Sequence, residues 1–351
     1  MLNAMSRCII RGMASMKVMQ VSKAGAPFDA IDRPIPEPGE NEIRIKVEAC
    51  GLCHSDRLTK HAMWPGIQLP RIPGHEVVGT VDAVGSRVKL WKTGERVGVG
   101  WHGGHCFVCE PCRRGDFVSC HEHNVTGITR DGGYSEYMLA SEHAAARVPD
   151  ALTPAEAAPL MCAGITVFNA MRNSGARSGD LVAIQGIGGL GHLGVQFANK
   201  MGFHTVAISR GADKEELAAS MGAHHYIDAA AKNVSEELQK LGGARVIVAT
   251  APNSKAISSV VDGLGIDGTI LVIGATPEPI EVSPFQVIGA RKGLRGWPSG
   301  TAKHSEETLA FCALTGIRPH IETYPLAQAD AAYERMVSNE ARFRVVLTAG
   351  S

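Results

Sequence analysis

The sequence predicts an α/β protein in two parts, a β-rich part joined to a doubly wound parallel sheet. Three observations carry that expectation. From Met19 to about Pro149, short alternating stretches such as Glu42–Val47 and Val77–Val84 are broken by Gly, Pro and Asp turn signals. After Thr153 the texture changes to apolar strand patterns separated by amphipathic helix patterns, which imply a parallel sheet covered on both faces. Within that region one strand pattern, Leu181–Gln185, runs straight into a glycine-rich turn and then a helix.

Taken in order, residues 1–16 carry Arg7 and Arg11 and no acid. They read as a mitochondrial presequence, as a disordered tail, or as residues ahead of a later start at Met13 or Met16. The change of texture comes at Thr153-Pro154-Ala155-Glu156, where Thr153 is placed as a helix N-cap with Glu156 as its capping-box partner. Strand and helix patterns then alternate. Leu181–Gln185 is a strand, 191–201 a helix, 205–208 a strand, 214–221 a helix, and 246–250 and 269–273 are strands. From about Trp297 the pattern returns to mixed α+β.

Composition narrows the function. At 351 residues, two domains are expected. Lys+Arg and Asp+Glu are both 35, so the chain shows no basic footprint for a nucleic-acid partner. No apolar run approaches the ~20 residues of a membrane span, so a membrane partner is not expected. The nine cysteines cluster in a way that suits metal rather than disulfides and points to a reducing compartment, the cytoplasm. The presequence reading would place the protein in the mitochondrial matrix instead.

Cys106, Cys109, Cys112 and Cys120 are spaced C-x2-C-x2-C-x7-C, which folds around one Zn²⁺ as a closed tetrahedral site. A closed site leaves no position for substrate, so its role is structural. Cys53, His75 and Cys162 lie far apart in the chain and could assemble a second metal site, open at one position.

The turn Gly186-Ile187-Gly188-Gly189-Leu190-Gly191 stands between a strand and a helix, where its glycines let the backbone approach a dinucleotide pyrophosphate. At the end of the next strand an acid would hold the ribose hydroxyls. Ser209 stands there instead, followed by Arg210 and, one turn on, Lys214. A hydroxyl and two cations suit a 2′-phosphate, so NADP(H) is favoured over NAD(H).

With these motifs in view, the chain resembles the zinc-dependent medium-chain alcohol dehydrogenases over its length beyond the leader. The resemblance rests on Gly51-Leu52-Cys53-His54-Ser55-Asp56, Gly74-His75-Glu76-Val77-Val78-Gly79, the four-Cys lobe, the Gly186–Gly191 turn and Pro159-Leu160-Met161-Cys162-Ala163-Gly164. Around Trp64 and Trp101 it is most similar to yeast-like and bacterial alcohol dehydrogenases and cinnamyl alcohol dehydrogenases. The resemblance implies a GroES-like β domain over 17–159 and 297–351, a Rossmann domain over 160–296, and an active site between them. It further implies two zinc ions per chain, the reactive one on Cys53, His75 and Cys162, with Glu76 behind it as a transient ligand. Asp56 would orient His75, Ser55 would shuttle the substrate proton, and His54 would face the coenzyme phosphates. Thr166, Ile273 and Gly274 would lie near nicotinamide, Arg344 at the pyrophosphate, and Trp64 and Trp101 in the substrate pocket.

By the same resemblance the reaction is hydride transfer between nicotinamide and a primary alcohol or aldehyde, with zinc as the Lewis acid. Such relatives are dimers or tetramers. One departure stands out: Leu58 occupies the position where many relatives place an outer proton-relay histidine. The relay then ends at coenzyme ribose and solvent or diverts through His54 or His61, and parent-like pH–rate profiles in His54→Ala and His61→Ala would exclude the diversions. Two rival readings are an NAD-dependent enzyme of the same mechanism and a non-catalytic NADPH-binding structural or regulatory protein. A polyol enzyme would carry Glu in place of Cys162, and a formaldehyde enzyme would carry longer loop insertions.

Overall fold

The computed structural model describes residues 14–349. It is an α/β structure built on two large sheets. The first has seven strands, in the order Ile321–Pro325, Arg344–Thr348, Glu42–Gly51, Val77–Val84, Arg96–Val99 and Ala145–Arg147, with Tyr137–Ser141 also paired to Glu42–Gly51. Every pairing in it is antiparallel except the parallel pair from the C-terminal segment. Alternation drives the long strand: Ile43, Ile45 and Val47 point into the core while Arg44, Lys46 and Glu48 are more exposed.

The second sheet has six strands, all parallel, in the order His225–Asp228, His204–Ser209, Leu181–Gln185, Ala244–Ala249, Leu264–Val272 and Gly293–Gly296. Its central strand Leu181–Gln185 is buried at every position, as expected for a sheet covered on both faces. Helix Gly191–Lys200 buries Leu193, Val195, Phe197 and Ala198. On that side Phe168 lies 5.3 Å from Phe197 and 5.0 Å from Phe311, joining helices Ile165–Arg172, Gly191–Lys200 and Ala302–Thr315.

Three local features place the site. The Thr153 N-cap forms as expected, with the Thr153 amide donating to the Glu156 carboxylate at 2.9 Å and the Glu156 amide to the Thr153 hydroxyl at 3.3 Å. Helix Pro154–Pro159 then loosens into a π-helical turn, Leu160–Gly164, before Ile165–Arg172 resumes. Such turns recur at functional sites, and this one carries Cys162. The C-terminal strand Arg344–Thr348 threads beside Glu42–Gly51, with the Leu52 amide donating to the Val345 carbonyl at 2.8 Å.

Several expectations need correction. The leader drawn over 1–16 runs too far, because Ser15 and Met16 open the strand Ser15–Gln20, which pairs with Asp29–Pro34 and buries Met16. The remainder of that expectation, residues 1–13, lies outside the described residues. Two strands of the parallel sheet were not anticipated. His225–Asp228 is short and polar, and Gly293–Gly296 is half glycine and exposed, so neither carries an apolar strand signal.

Candidate active site

Register brings the first two ligands together. Cys50 pairs with Val77 across the sheet, so the chain leaving one strand towards Cys53 runs beside the chain that enters the next strand from His75 and Glu76. The π-helical turn supplies Cys162, whose sulfur lies 3.9 Å from that of Cys53. The ligand atoms of Cys53, His75, Glu76 and Cys162 all lie within 4.8 Å of one another. Gly51 leaves room for this packing, since a Cβ there would stand 2.0 Å from the Glu76 carboxylate.

The buried carboxylate of Asp56 organises the cluster. One oxygen lies 3.2 Å from His75 Nδ1, and the other accepts from the Cys53 amide at 2.8 Å and the Tyr134 hydroxyl at 3.0 Å. With its Nδ1 proton directed at Asp56, His75 presents Nε2 as an acceptor. That atom is buried and has no hydrogen-bond partner. An imidazole fixed by a carboxylate with its other nitrogen left free is the arrangement of a metal-ligating histidine. The sulfurs agree: the Cys162 thiol at hydrogen-bond distance holds the Cys53 thiol well below its ordinary value despite burial. The same contact, with burial, pushes Cys162 well up. The pair thus shares a proton with thiolate character on Cys53, a donor set suited to a thiophilic dication. The residues fit a zinc ion.

Behind the cluster, Glu76 and Arg344 form an ion pair sealed from solvent, and Arg344 also donates to the Leu52 carbonyl at 2.7 Å. Burial pushes the Glu76 carboxyl up to about 8 against the pull of Arg344. Arg344 also touches the glycine turn, because a Cβ on Gly189 would stand 2.9 Å from its Nη1. Trp101 sets its ring against His75 at 5.0 Å and meets Trp64 at 5.9 Å, both edge-on. Ser55 is half-buried beside Cys53, Leu58 is half-buried, and His54 and His61 are exposed.

The four lobe cysteines gather as expected, with ligand atoms within 4.8 Å. The sulfurs of Cys106 and Cys120 lie 3.6 Å apart and those of Cys109 and Cys120 3.9 Å. These separations match the ~3.8 Å edge of a tetrahedron with ~2.3 Å Zn–S bonds, and are far from a disulfide. Backbone amides of Cys106 and Cys109 donate to the sulfurs of Cys120 and Cys106 at 3.3 and 3.4 Å. Amides of Cys112 and His121 bring the Cys109 thiol down to about 6. This set also fits zinc.

In the glycine turn, Gly186 adopts φ +96°, and a Cβ on Gly191 would stand 1.7 Å from the Gly186 carbonyl oxygen, so both positions require glycine. Gly188, Gly189 and Leu190 complete the turn. Ser209 ends the strand His204–Ser209 and accepts from Lys214 at 3.4 Å, while Arg210 is exposed just beyond. The amides of Ile273 and Gly274 both donate to the Ala249 carbonyl, holding them at the end of the neighbouring strand. Thr166 is half-buried two residues after the π-helical turn. Sequence reasoning missed Tyr134 behind Asp56, the Glu76–Arg344 pair and the bonds made by His192. The only signal was the nearness of His192 to the glycine turn.

The family model "Alcohol dehydrogenase GroES-like domain" matches residues 39–150, and "Zinc-binding dehydrogenase" matches 189–314. The alcohol dehydrogenase patD of Penicillium expansum is 44% identical over 331 residues, covering 94% of this chain and 96% of that protein. A solved cinnamyl alcohol dehydrogenase from Sorghum bicolor superposes with a TM-score of 0.87 at 28% identity, covering 95% of this chain and 98% of that one. A Helicobacter pylori enzyme described as CAD complexed with NADP(H) gives 0.84 at 28% identity, with coverages of 95% and 98%. No helix among the described residues is long and apolar enough to cross a membrane.

Proposed function

This chain belongs to the zinc-dependent medium-chain alcohol dehydrogenases and is an oxidoreductase acting on CH–OH groups, and from that premise we propose that it is an NADP(H)-favouring alcohol dehydrogenase and aldehyde reductase for primary alcohols and unbranched or planar aldehydes. The observation that carries the proposal is the convergence of Cys53, Cys162 and the unpartnered Nε2 of His75, with Glu76 behind them. Zinc bound there supplies Lewis acidity towards the substrate oxygen, and the nicotinamide supplies or accepts the hydride.

The chain's own residues set the conditions for that chemistry. Asp56 holds His75 in the tautomer that offers Nε2. Ser55 takes the proton of the alcohol in the oxidative direction, and with Leu58 in the outer position the relay ends at the coenzyme ribose and solvent or diverts through His54 or His61. Trp64 and Trp101 narrow the substrate channel and exclude water from His75. Gly186, Gly188, Gly189, Leu190 and Gly191 cradle the pyrophosphate with Arg344, and Thr166, Ile273 and Gly274 flank the nicotinamide. Ser209, Arg210 and Lys214 take the 2′-phosphate. Support for this preference comes from the Lys214–Ser209 contact and from the relative described with NADP(H). A second, structural zinc belongs to the lobe.

The domain division proposed is 17–159 with 297–351 for the zinc domain and 160–296 for the coenzyme domain, in line with the strand membership of the two sheets. Function in the cytoplasm is part of the proposal, since thiolate ligands favour a reducing compartment. So is assembly with a second copy, as a homodimer or homotetramer. The edge strand Gly293–Gly296 exposes Leu294, and nearby in sequence or pairing Ile266, Phe285 and Ile288 are 70%, 96% and 72% exposed. A monomer mass by light scattering would sink that assembly.

The reaction is tested by metal content together with paired initial rates for NADPH and NADH on cinnamaldehyde, butanal and a ketone. Two zinc per chain and a large NADPH preference are expected. Equal rates with both coenzymes would remove the argument from Ser209 and Arg210.

A further inference from the structure

His192 is the second residue of helix Gly191–Lys200, immediately after the glycine turn, and it is fully buried. Both ring nitrogens are engaged. Nδ1 lies 2.9 Å from the Gly188 carbonyl, inside the turn, and Nε2 accepts from the His320 amide at 3.3 Å. Burial pushes the imidazole down to about 3, so it stays neutral, a donor at Nδ1 and an acceptor at Nε2. The ring also stacks on Phe343 at 4.8 Å and 25°.

The partners of His192 lead directly to Arg344. The His320 carbonyl accepts from the amides of both Phe343 and Arg344 at 3.0 Å. Gln196, one helical turn further on, doubles the attachment by donating to the Arg318 carbonyl at 3.0 Å and accepting from the Arg318 amide at 3.3 Å. Arg344 in turn spans from Gly189 in the turn to Glu76 behind the proposed metal ligands. One imidazole therefore grips the turn through Gly188 and the segment carrying Arg344 through His320 and Phe343.

We propose that His192 is a positioning residue that fixes Arg344 against the Gly188–Gly189 turn, holding the coenzyme pyrophosphate and the carboxylate behind the metal cluster in register. This rests on the reading that the turn and Arg344 receive the pyrophosphate. Asparagine keeps a donor near the place of Nδ1 and glutamine an acceptor near that of Nε2, so the two bonds can be removed separately.

The test is a double-mutant cycle on zinc-loaded enzyme, read as the NADPH dissociation constant by fluorescence titration, with zinc content and thermal midpoint measured on each protein. His192→Ala should weaken NADPH binding about tenfold, in the range of coupling between groups in contact. Zinc content should not change, and His192→Asn should recover part of the loss. In an Arg344→Gln background the same His192→Ala change should cost less than about threefold, because its action passes through Arg344. If His192→Ala does not fold, the cycle is run with His192→Asn and His192→Gln. Parent-like NADPH binding in the His192 variants, or an equal loss in both backgrounds, would overturn the inference while leaving the coenzyme reading intact. A parent enzyme that binds no dinucleotide would overturn both.

Discussion

Cys106, Cys109, Cys112 and Cys120 meet inside one loop, whereas Cys53, His75, Glu76 and Cys162 come from three separate stretches of chain. The lobe is held mainly by its own backbone amides, which donate to its sulfurs. The mixed cluster is held by a second layer of buried side chains, Asp56 with Tyr134 on one side and Arg344 on the other. Four like donors gather in the lobe; the mixed cluster brings together an imidazole, a carboxylate and two sulfurs, with the Trp101 ring edge-on to His75. A local chelate needs little from the rest of the fold, and an open site needs all of it. Damage should therefore appear as lost stability in the lobe and as lost turnover in the mixed cluster.

The largest effect is expected from Cys162→Ala. It removes one of three ligands from a buried set, so turnover should fall at least ~10³-fold, beyond the ~10–100-fold typical of losing a supporting partner. Zinc analysis should still find one ion per chain, in the lobe. A Cys162→Ala protein that keeps both ions and a tenth of the parent activity would break the comparison. Next, Asp56→Asn preserves shape but removes the charge that orients His75. Zinc affinity at the mixed cluster, or activity, should drop by ~10–100-fold, as checked by chelator titration and rates after zinc is restored.

Cys109→Ser sharpens the comparison from the other side. Its loss opens the lobe, and each kcal/mol of stability removed should lower the thermal midpoint by ~2–4 °C in a domain of ~150–250 residues. Specific activity of the folded, assembled fraction should stay within about twofold of the parent. Lost catalysis with an unchanged midpoint and oligomeric state would give the lobe a role in chemistry that its closed geometry does not suggest.

The same contrast explains what the sequence made legible. The lobe is visible in spacing alone, because its ligands are neighbours in the chain. The glycine turn is equally plain, since strand, turn and helix follow one another without a break. Cys53, His75 and Cys162 could be nominated as ligands, but their convergence depends on the register of two strands and on one π-helical turn that no local pattern encodes. The edge strands His225–Asp228 and Gly293–Gly296 escaped because polar and glycine-rich edges lack the apolar run that marks a buried strand. Ser15 and Met16 follow a stretch with two arginines and no acid, whereas the alternation that buries Met16 and Val18 places them at the start of a strand. The place of Arg344 at the pyrophosphate is what the family resemblance implies. Its buried partnership with Glu76 could not be read, because the two residues are distant in sequence and only the threading of the last strand brings them together.

The smallest effect belongs to Tyr134→Phe, which probes how far the second layer extends. The Tyr134 hydroxyl donates to the Asp56 oxygen that also receives the Cys53 amide, so its loss leaves that oxygen one donor and leaves the His75 contact untouched. A hydrogen bond to a charged group contributes ~1.5–3 kcal/mol, and stability measured by denaturant should fall by an amount in that range. Turnover should fall by no more than about threefold, because Asp56 still orients His75 through its other oxygen. A loss of activity as large as that of Asp56→Asn would mean that Tyr134 sets the position of the carboxylate, and the supporting layer would then extend one residue deeper than the contacts of Asp56 suggest.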